Sequence, residues 1–175
     1  MAQIFTISKV GEELIQHYES CRLKPYLDSK GIVTIGWGHP LHDTNGEYLK
    51  SLILVPPQFL NITQAFADQL FLEDMEIFEE GVAKIDTNRN AGLHSPIFFS
   101  QNQFDALCDF SFNEGLGALR GSTLLKRIIE NSTDEQITNA FLMWNMADGE
   151  ENKGLRYRRQ SDAVLYTEGR LQFFN

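Results

Sequence analysis

The sequence predicts an α+β fold: a small N-terminal lobe with a β-hairpin, a long connecting helix, and a larger helical C-terminal lobe. Three observations carry this expectation. A strand–turn–strand signal spans residues 25–36. An apolar stripe repeats at helical spacing from Ala67 to Ile85. After residue 100, helix-capping pairs recur ahead of further apolar stripes. The 175 residues allow one domain with a sizeable core, or two small lobes sharing a helix. The expected division is a single domain, 1–175, with an N-lobe over 1–62, the connecting helix over 63–85 and the helical lobe over 86–175.

Ser8 can cap a first helix whose apolar positions Val10, Leu14 and Tyr18 recur every four residues, with Ile15 beside them. It should end near Glu19 to Cys21, because Pro25 forbids continuation. Residues Pro25–Asp28 and Ile32–Gly36 then flank Ser29-Lys30-Gly31, with glycine where a three-residue turn needs positive φ. With that loop length Asp28 faces Ile32, and Tyr26, Asp28, Thr34, Gly36 and Gly38 share one face. The two glycines leave room near the backbone for a bulky ligand. Val33, Ile35 and Trp37 take the packing face. A β-bulge would shift this phase.

Residues 40–62 read as loop, with Asp43-Thr-Asn45-Gly46-Glu47 a polar turn too short for a calcium loop. Thr63 caps the long helix, striped with Ala67, Phe71, Met75, Phe78, Val82 and Ile85. Its other face, Glu73, Asp74, Glu76, Glu79 and Glu80, reads as solvated. Residues 86–99 read as an irregular connection. Ser100 with Gln103 opens a helix bearing Phe104, Leu107, Cys108 and Ser111. Ser122-Thr123 opens a short helix ending near Asn131, and Thr133 with Gln136 opens one carrying Ile137, Phe141 and Trp144. A last helix runs from about Gly154 to Gly169.

Composition excludes more than it suggests. The net charge is −9, all of it in residues 1–119; residues 120–175 are balanced. No basic face exists to displace counterions, so nucleic acid is not an expected partner. The longest aliphatic run, Leu52-Ile-Leu-Val55, stops at Pro56-Pro57, so no membrane insertion is expected. The N-terminus shows no basic region followed by an apolar core, so synthesis and folding in a cytoplasm are expected. Cys21 and Cys108 read as two small buried hydrophobes rather than a disulfide.

Glu19, Asp28 and Thr34 form the pattern Glu-x8-Asp-x5-Thr, and no other Glu in the chain has an Asp nine positions on. Two carboxyl groups are the usual solution to glycosidic cleavage, one giving a proton and one activating water. They must differ in pKa. Glu19, at the expected C-terminal end of the first helix, faces unsatisfied carbonyls that disfavour its carboxylate. Asp28, beside a polar turn, should stay ionised. Glu19 then reads as general acid, Asp28 as general base, and Thr34 Oγ1 as a second anchor for water. Spacing alone leaves another reading: a surface Glu19–Arg22 pair, a turn Asp28 and an ordinary strand Thr34.

The residues around this pattern resemble a known family. Glu13-Leu14-Ile-Gln-His-Tyr18-Glu19 and Thr34-Ile-Gly-Trp-Gly-His39 are similar to the catalytic segment of the bacteriophage lysozymes and endolysins, glycoside hydrolase family 24. Gln103-Phe104-Asp-Ala-Leu107, Phe112-Asn113-Glu-Gly115, Ser122-Thr123-Leu-Leu125, Trp144 and Gly154-Leu155-Arg156-Tyr-Arg158-Arg159 resemble its helical-lobe signatures. The resemblance implies a lysozyme-like fold of two lobes around a cleft, and an endolysin hydrolysing the β-1,4 bond between N-acetylmuramic acid and N-acetylglucosamine in peptidoglycan. It implies no cofactor and a monomer acting on periplasmic peptidoglycan after release. It further implies that Arg156 reaches the cleft and pairs with Glu19. Trp37, Pro40 and the long 40–62 segment depart from the family pattern.

Other candidates follow. Tyr26, Gly38 and Asn113 are candidate substrate contacts, Asn113 equally a cap for the turn before Gly115. His39 and His42 form H-x-x-H without further metal-ligand spacing, so His39 reads as structural, bonding an acid on the long helix, and no metal is expected. Arg156, Arg158 and Arg159 read as a solvated helix face. Trp37 and Trp144 read as core. The alternatives to an endolysin are a muramidase effector delivered by a secretion system and a non-catalytic wall-binding module; a lytic transglycosylase would need the acid but no water-directing Asp.

Overall fold

The computed structural model describes residues 6–87 and 99–175. The chain folds into two compact units: residues up to Tyr18 together with those from Glu76 onward, and residues 19–75. Of the irregular connection expected over 86–99, residues 88–98 lie outside the described residues.

The smaller unit is built on strands β1 (Arg22–Leu27), β2 (Val33–Gly36) and β3 (His39–Pro40), in the order β1-β2-β3. Tyr26 pairs with Thr34 and Leu27 with Val33, and Asp28 N–H donates to Ile32 O at 2.9 Å. The turn is thus the three-residue loop that the sequence predicts, with Gly31 at φ 75°. The register shifts between Arg22 and Tyr26, so Gly36 lies opposite Arg22.

β3 corrects the expectation that only two strands form. The chain reverses between Ile35 and Gly38, whose N–H donates to Ile35 O, and Thr34 then pairs with Pro40. The segment read as loop continues the ladder. Leu41 N–H donates to Val33 O, Val33 N–H to Leu49 O, and Leu49 N–H to Leu41 O, each within 2.8 Å. Asp43 closes the far end, its Oδ1 accepting the N–H groups of Asn45 and Glu47. Val33, Ile35, Leu41, Leu49, Val55, Ile62, Ala67 and Leu70 form this unit's core.

Gly36 does not leave room for a ligand, as its place beside Thr34 suggested. It adopts φ 64°, and a Cβ there would meet Ala67 Cβ at 3.4 Å. Gly36→Ala is therefore expected to cost about 1–3 kcal/mol, read as a lowered denaturant midpoint.

Helix α1 (Lys9–Tyr18) opens the larger unit. The Ser8 hydroxyl accepts the Val10 and Gly11 N–H groups. Helix α2 (Gln64–Thr87) passes from the smaller unit into the larger, its first turn capped by Thr63 Oγ1 accepting from Phe66 N–H. Helices α3 (Gln101–Glu114), α4 (Leu116–Gly121), α5 (Thr123–Ile129), α6 (Asp134–Leu142) and α7 (Lys153–Glu168) follow. Ser100 with Gln103 and Thr133 with Gln136 close full capping boxes. Helix α4 and the hairpin of β4 (Met146–Ala147) and β5 (Glu150–Glu151) were not expected.

α3 is the core of this unit, with Phe104, Leu107, Cys108 and Phe110 fully buried. Phe110 meets Phe141 and Trp144 edge-on at 6.0 and 5.3 Å. Trp144 is a packing residue, though it lies beyond the end of α6. Both cysteines are free thiols.

Two surface expectations are corrected. Asp74 and Glu79, on the α2 face read as solvated, are engaged. Asp74 binds His39, while Glu79 Oε1 accepts the Ile7 N–H at 2.7 Å and is pushed above the usual carboxylate range by burial. Arg158 and Arg159 do not form a solvated face: both are buried, against Asp109 and Asp162.

Candidate active site

Six of the eight candidate residues belong to the smaller unit, on or beside the hairpin: Glu19, Tyr26, Asp28, Thr34, Gly38 and His39. Glu19 follows the last residue of α1 and is half-buried. Two residues separate it from β1, which carries Tyr26 and delivers Asp28 to the turn.

Asp28 is held by its own loop. Its Oδ1 accepts the Lys30 N–H at 2.9 Å and the Ile32 N–H at 2.8 Å. Two amides on one oxygen fix the carboxyl orientation and leave Oδ2 available to another donor. Thr34, across from Tyr26, is only 3% exposed. Its hydroxyl proton goes to Ile32 O at 3.1 Å, so Oγ1 can offer a lone pair to a donor.

Tyr26 lies between the two carboxyl groups electrostatically. Burial raises its pKa; the Arg22 guanidinium, 4.3 Å from the ring centroid, opposes the rise, while Glu19 and Asp28 add to it. Both carboxyl groups therefore act on one phenol, and burial favours its neutral form. Gly38 sits at φ 110° with open space where a Cβ would stand.

His39 does what the sequence suggested, and the acid on the long helix is Asp74: Nδ1 lies 2.9 and 3.0 Å from its two carboxylate oxygens. A second α2 acid, Asp68, accepts Trp37 Nε1–H at 2.7 Å. Sequence reading missed Asp68 and grouped Asp74 with the solvated acids. The available signal was position: Asp68 and Asp74 neighbour the buried residues Ala67 and Met75. Each acid ties one residue of the Trp37–His39 turn to α2. His42 stacks against Tyr48 at 4.6 Å. Among the described residues, no group of three or more His, Cys, Asp and Glu side chains is placed to hold a metal.

Asn113 and Arg156 belong to the larger unit. Asn113 lies in the last turn of α3, its Oδ1 buried with no hydrogen-bond partner among the described residues. The α3 end is closed by the Gly115 N–H to Ser111 O bond, so the alternative capping role is filled by backbone. Arg156 Nη1 lies 3.8 Å from Glu151 Oε1, and its guanidinium stands over the Tyr157 ring.

A three-stranded sheet with a buried threonine, one carboxyl in its turn and another just before its first strand, followed by a long helix and further helices, defines a lysozyme-like α+β protein. The chain belongs to the phage lysozyme family, whose family model matches residues 16–162. It is 32% identical to the endolysin of Salmonella phage P22 over 91% of this chain and 97% of that protein. The endolysin of Bacillus phage B103 is 33% identical over 93% of this chain, which spans about half (54%) of that relative's length. The solved endolysin of Escherichia coli O157:H7 phage FAHEc1 superposes with a TM-score of 0.71 at 29% identity, covering 98% of this chain and 99% of that one.

Proposed function

We propose that this protein is an endolysin: a glycoside hydrolase that cuts the β-1,4 bond between N-acetylmuramic acid and N-acetylglucosamine in bacterial peptidoglycan. Glu19 is the general acid, Asp28 the general base, and Thr34 the second holder of the attacking water. One observation carries the reading. Asp28 and Thr34 are each pre-set by the hairpin, one carboxyl oxygen and one hydroxyl lone pair left over, while Glu19 and Asp28 both bear on Tyr26.

The chemistry follows from those atoms. Glu19 gives its proton to the glycosidic oxygen as the bond to the anomeric carbon breaks. Water, accepted by Asp28 Oδ2 and Thr34 Oγ1, attacks that carbon from the opposite face and passes its proton to Asp28. The product is a new reducing end of inverted configuration. Carboxyl groups roughly 6.5–9.5 Å apart leave space for that water. His39 and Trp37, tied to α2, hold the turn that carries Gly38 near the sugar. Asn113 Oδ1 is suited to accept an acetamido N–H. The whole chain serves as one catalytic domain and acts as a monomer without a cofactor. Its setting is a phage-infected bacterium, with synthesis in the cytoplasm and action on the periplasmic wall after release. Among the described residues, no helix is long and apolar enough to cross a membrane.

Digestion of purified peptidoglycan tests the bond and the reaction together. Reducing-end sugars of N-acetylmuramic acid are expected. Reducing-end N-acetylglucosamine would move the cut to the other linkage, and 1,6-anhydro ends would make the enzyme a transglycosylase. Asp28→Asn is expected to lower the digestion rate by roughly 10²–10⁴-fold with the thermal midpoint retained, as loss of a general base does.

A further inference from the structure

The segment after α7, residues 170–174, lies along the last turn of α1. The His17 ring stacks on Phe173 with centroids 3.9 Å apart and planes 13° from parallel. Phe173 also meets Tyr18 edge-on at 6.5 Å. Tyr18 Oη accepts the Phe174 N–H at 3.3 Å and lies 2.7 Å from Ser161 Oγ. The carbonyls of Tyr157 and Phe174, at 3.2 and 3.4 Å, are alternative takers of its proton. Burial raises the Tyr18 pKa, the Ser161 and Phe174 bonds oppose the rise, and Asp162 and Asp109 add to it. The phenol therefore keeps its proton across the working range.

This is more anchoring than the end of a ten-residue helix requires. Helix ends fray, because their last carbonyls have no intrahelical donors. Here the two final residues are fixed by one stacked ring, one hydroxyl and one backbone amide. The residue that follows is Glu19.

We propose that Tyr18 and Phe173 are positioning residues for Glu19. By fixing the last turn of α1 to α7 and to the segment beyond it, they set the Cα and Cβ of the acid, and with them the reach of its carboxyl toward the leaving oxygen. They do not touch the reacting atoms. The inference rests on the reading of Glu19 as general acid given above.

The sensitivity is steep, since displacing a reacting group by about 1 Å can cost on the order of a hundredfold. Tyr18→Phe keeps the ring and removes the hydroxyl; Phe173→Ala removes the stack; Phe173→Tyr restores it. On soluble glycan fragments, Tyr18→Phe and Phe173→Ala are each expected to lose roughly tenfold in kcat, with KM within about twofold, because the loss falls on geometry in the transition state. Phe173→Tyr is expected to recover the wild-type kcat. The limb of the kcat–pH profile that depends on Glu19 should move in the two defective variants and return in the rescue.

Three results would overturn the proposal: wild-type kcat in both variants, a fall in kcat matched by loss of the folded fraction at the assay temperature, or no rescue by Phe173→Tyr. Glu19→Gln, run alongside, separates the two readings. If it retains activity, the acid assignment fails on its own account; if it is inactive while Tyr18→Phe and Phe173→Ala are normal, only the positioning role fails.

Discussion

Glu19→Gln is expected to remove wall-lytic activity. Chloroform-treated Gram-negative cells should clear with wild-type protein and stay turbid with the variant, a loss of roughly 10²–10⁴-fold or more in rate. The substitution is nearly isosteric, so the shape of the site and its neutral hydrogen bonds are largely kept. What is lost is a transferable proton. An amide cannot protonate the leaving oxygen, and departure of an unprotonated sugar alkoxide from the anomeric carbon is slow. The effect should fall on kcat, with binding to purified sacculi retained, because the proton is delivered only in the transition state. Clearing at the wild-type rate would sink the assignment. A variant that neither binds sacculi nor melts cooperatively would mean instead that Glu19 is structural.

Much of this site is legible before any coordinates. The loop Ser29-Lys30-Gly31 admits one three-residue turn, and that turn places Asp28 opposite Ile32. Register then puts Tyr26 and Thr34 across from each other, because strand side chains alternate strictly. The capping pairs at Ser100 and Thr133 mark helix starts to the residue, since a side-chain acceptor there satisfies amides that nothing else can reach.

What escaped the sequence has physical reasons. β3 is two residues long and begins with the histidine read as structural, so no alternation announces it. α4 has Gly115 at its N-cap position, where no side chain can cap it. The β4–β5 hairpin did have a signal: Asp148-Gly149, at φ 52° and 83°, is a pair suited to a two-residue turn, hidden by strands too short to show alternation. The buried arginines escaped because charge normally means exposure. The sign was in α3, where Asp105 and Asp109 stand among Phe104, Leu107, Cys108 and Phe110 in the stretch of the helix that is buried.

Those arginines carry the largest expected stability effect. Asp109 is fully buried, taking Nε and Nη2 of Arg158 at 3.0 and 2.8 Å, with Arg159 Nη2 at 3.5 Å. Arg159 Nε lies 3.0 Å from Asp162 Oδ2, close in distance but not aligned as a hydrogen bond. Asp109→Asn takes from both buried guanidiniums the carboxylate they share, while Glu114 Oε1 stays 3.9 Å from Arg159 Nη1. Breaking such a pair from one side costs about 3–5 kcal/mol, a large share of the roughly 5–15 kcal/mol that holds a domain folded. For a chain of this size the melting midpoint should fall by about 6–20 °C.

Asp162 should behave differently. Burial pushes its pKa well above the usual carboxylate range, with Arg159 opposing and the Asp109 carboxylate adding, so the protonated form is favoured. Burial works against the Asp109 carboxylate too, but the Arg158 guanidinium, with its hydrogen bonds, and the Arg159 charge outweigh it and hold its pKa below the ordinary value. The signs are opposite. Asp109 stabilises above its unfolded pKa, and this is lost as pH falls through the folded value. Asp162 stabilises fully below its unfolded pKa of about 3.9, and this is lost as pH rises through the folded value. Asn at 162 is neutral, as the protonated acid is, so Asp162→Asn should cost only about 1 kcal/mol and flatten the decline of stability with rising pH. Denaturant titrations of both variants across pH separate the roles. Equal losses, or an unaltered pH slope in Asp162→Asn, would mean that both carboxyls are ionised together and that no proton is stored between α3 and α7.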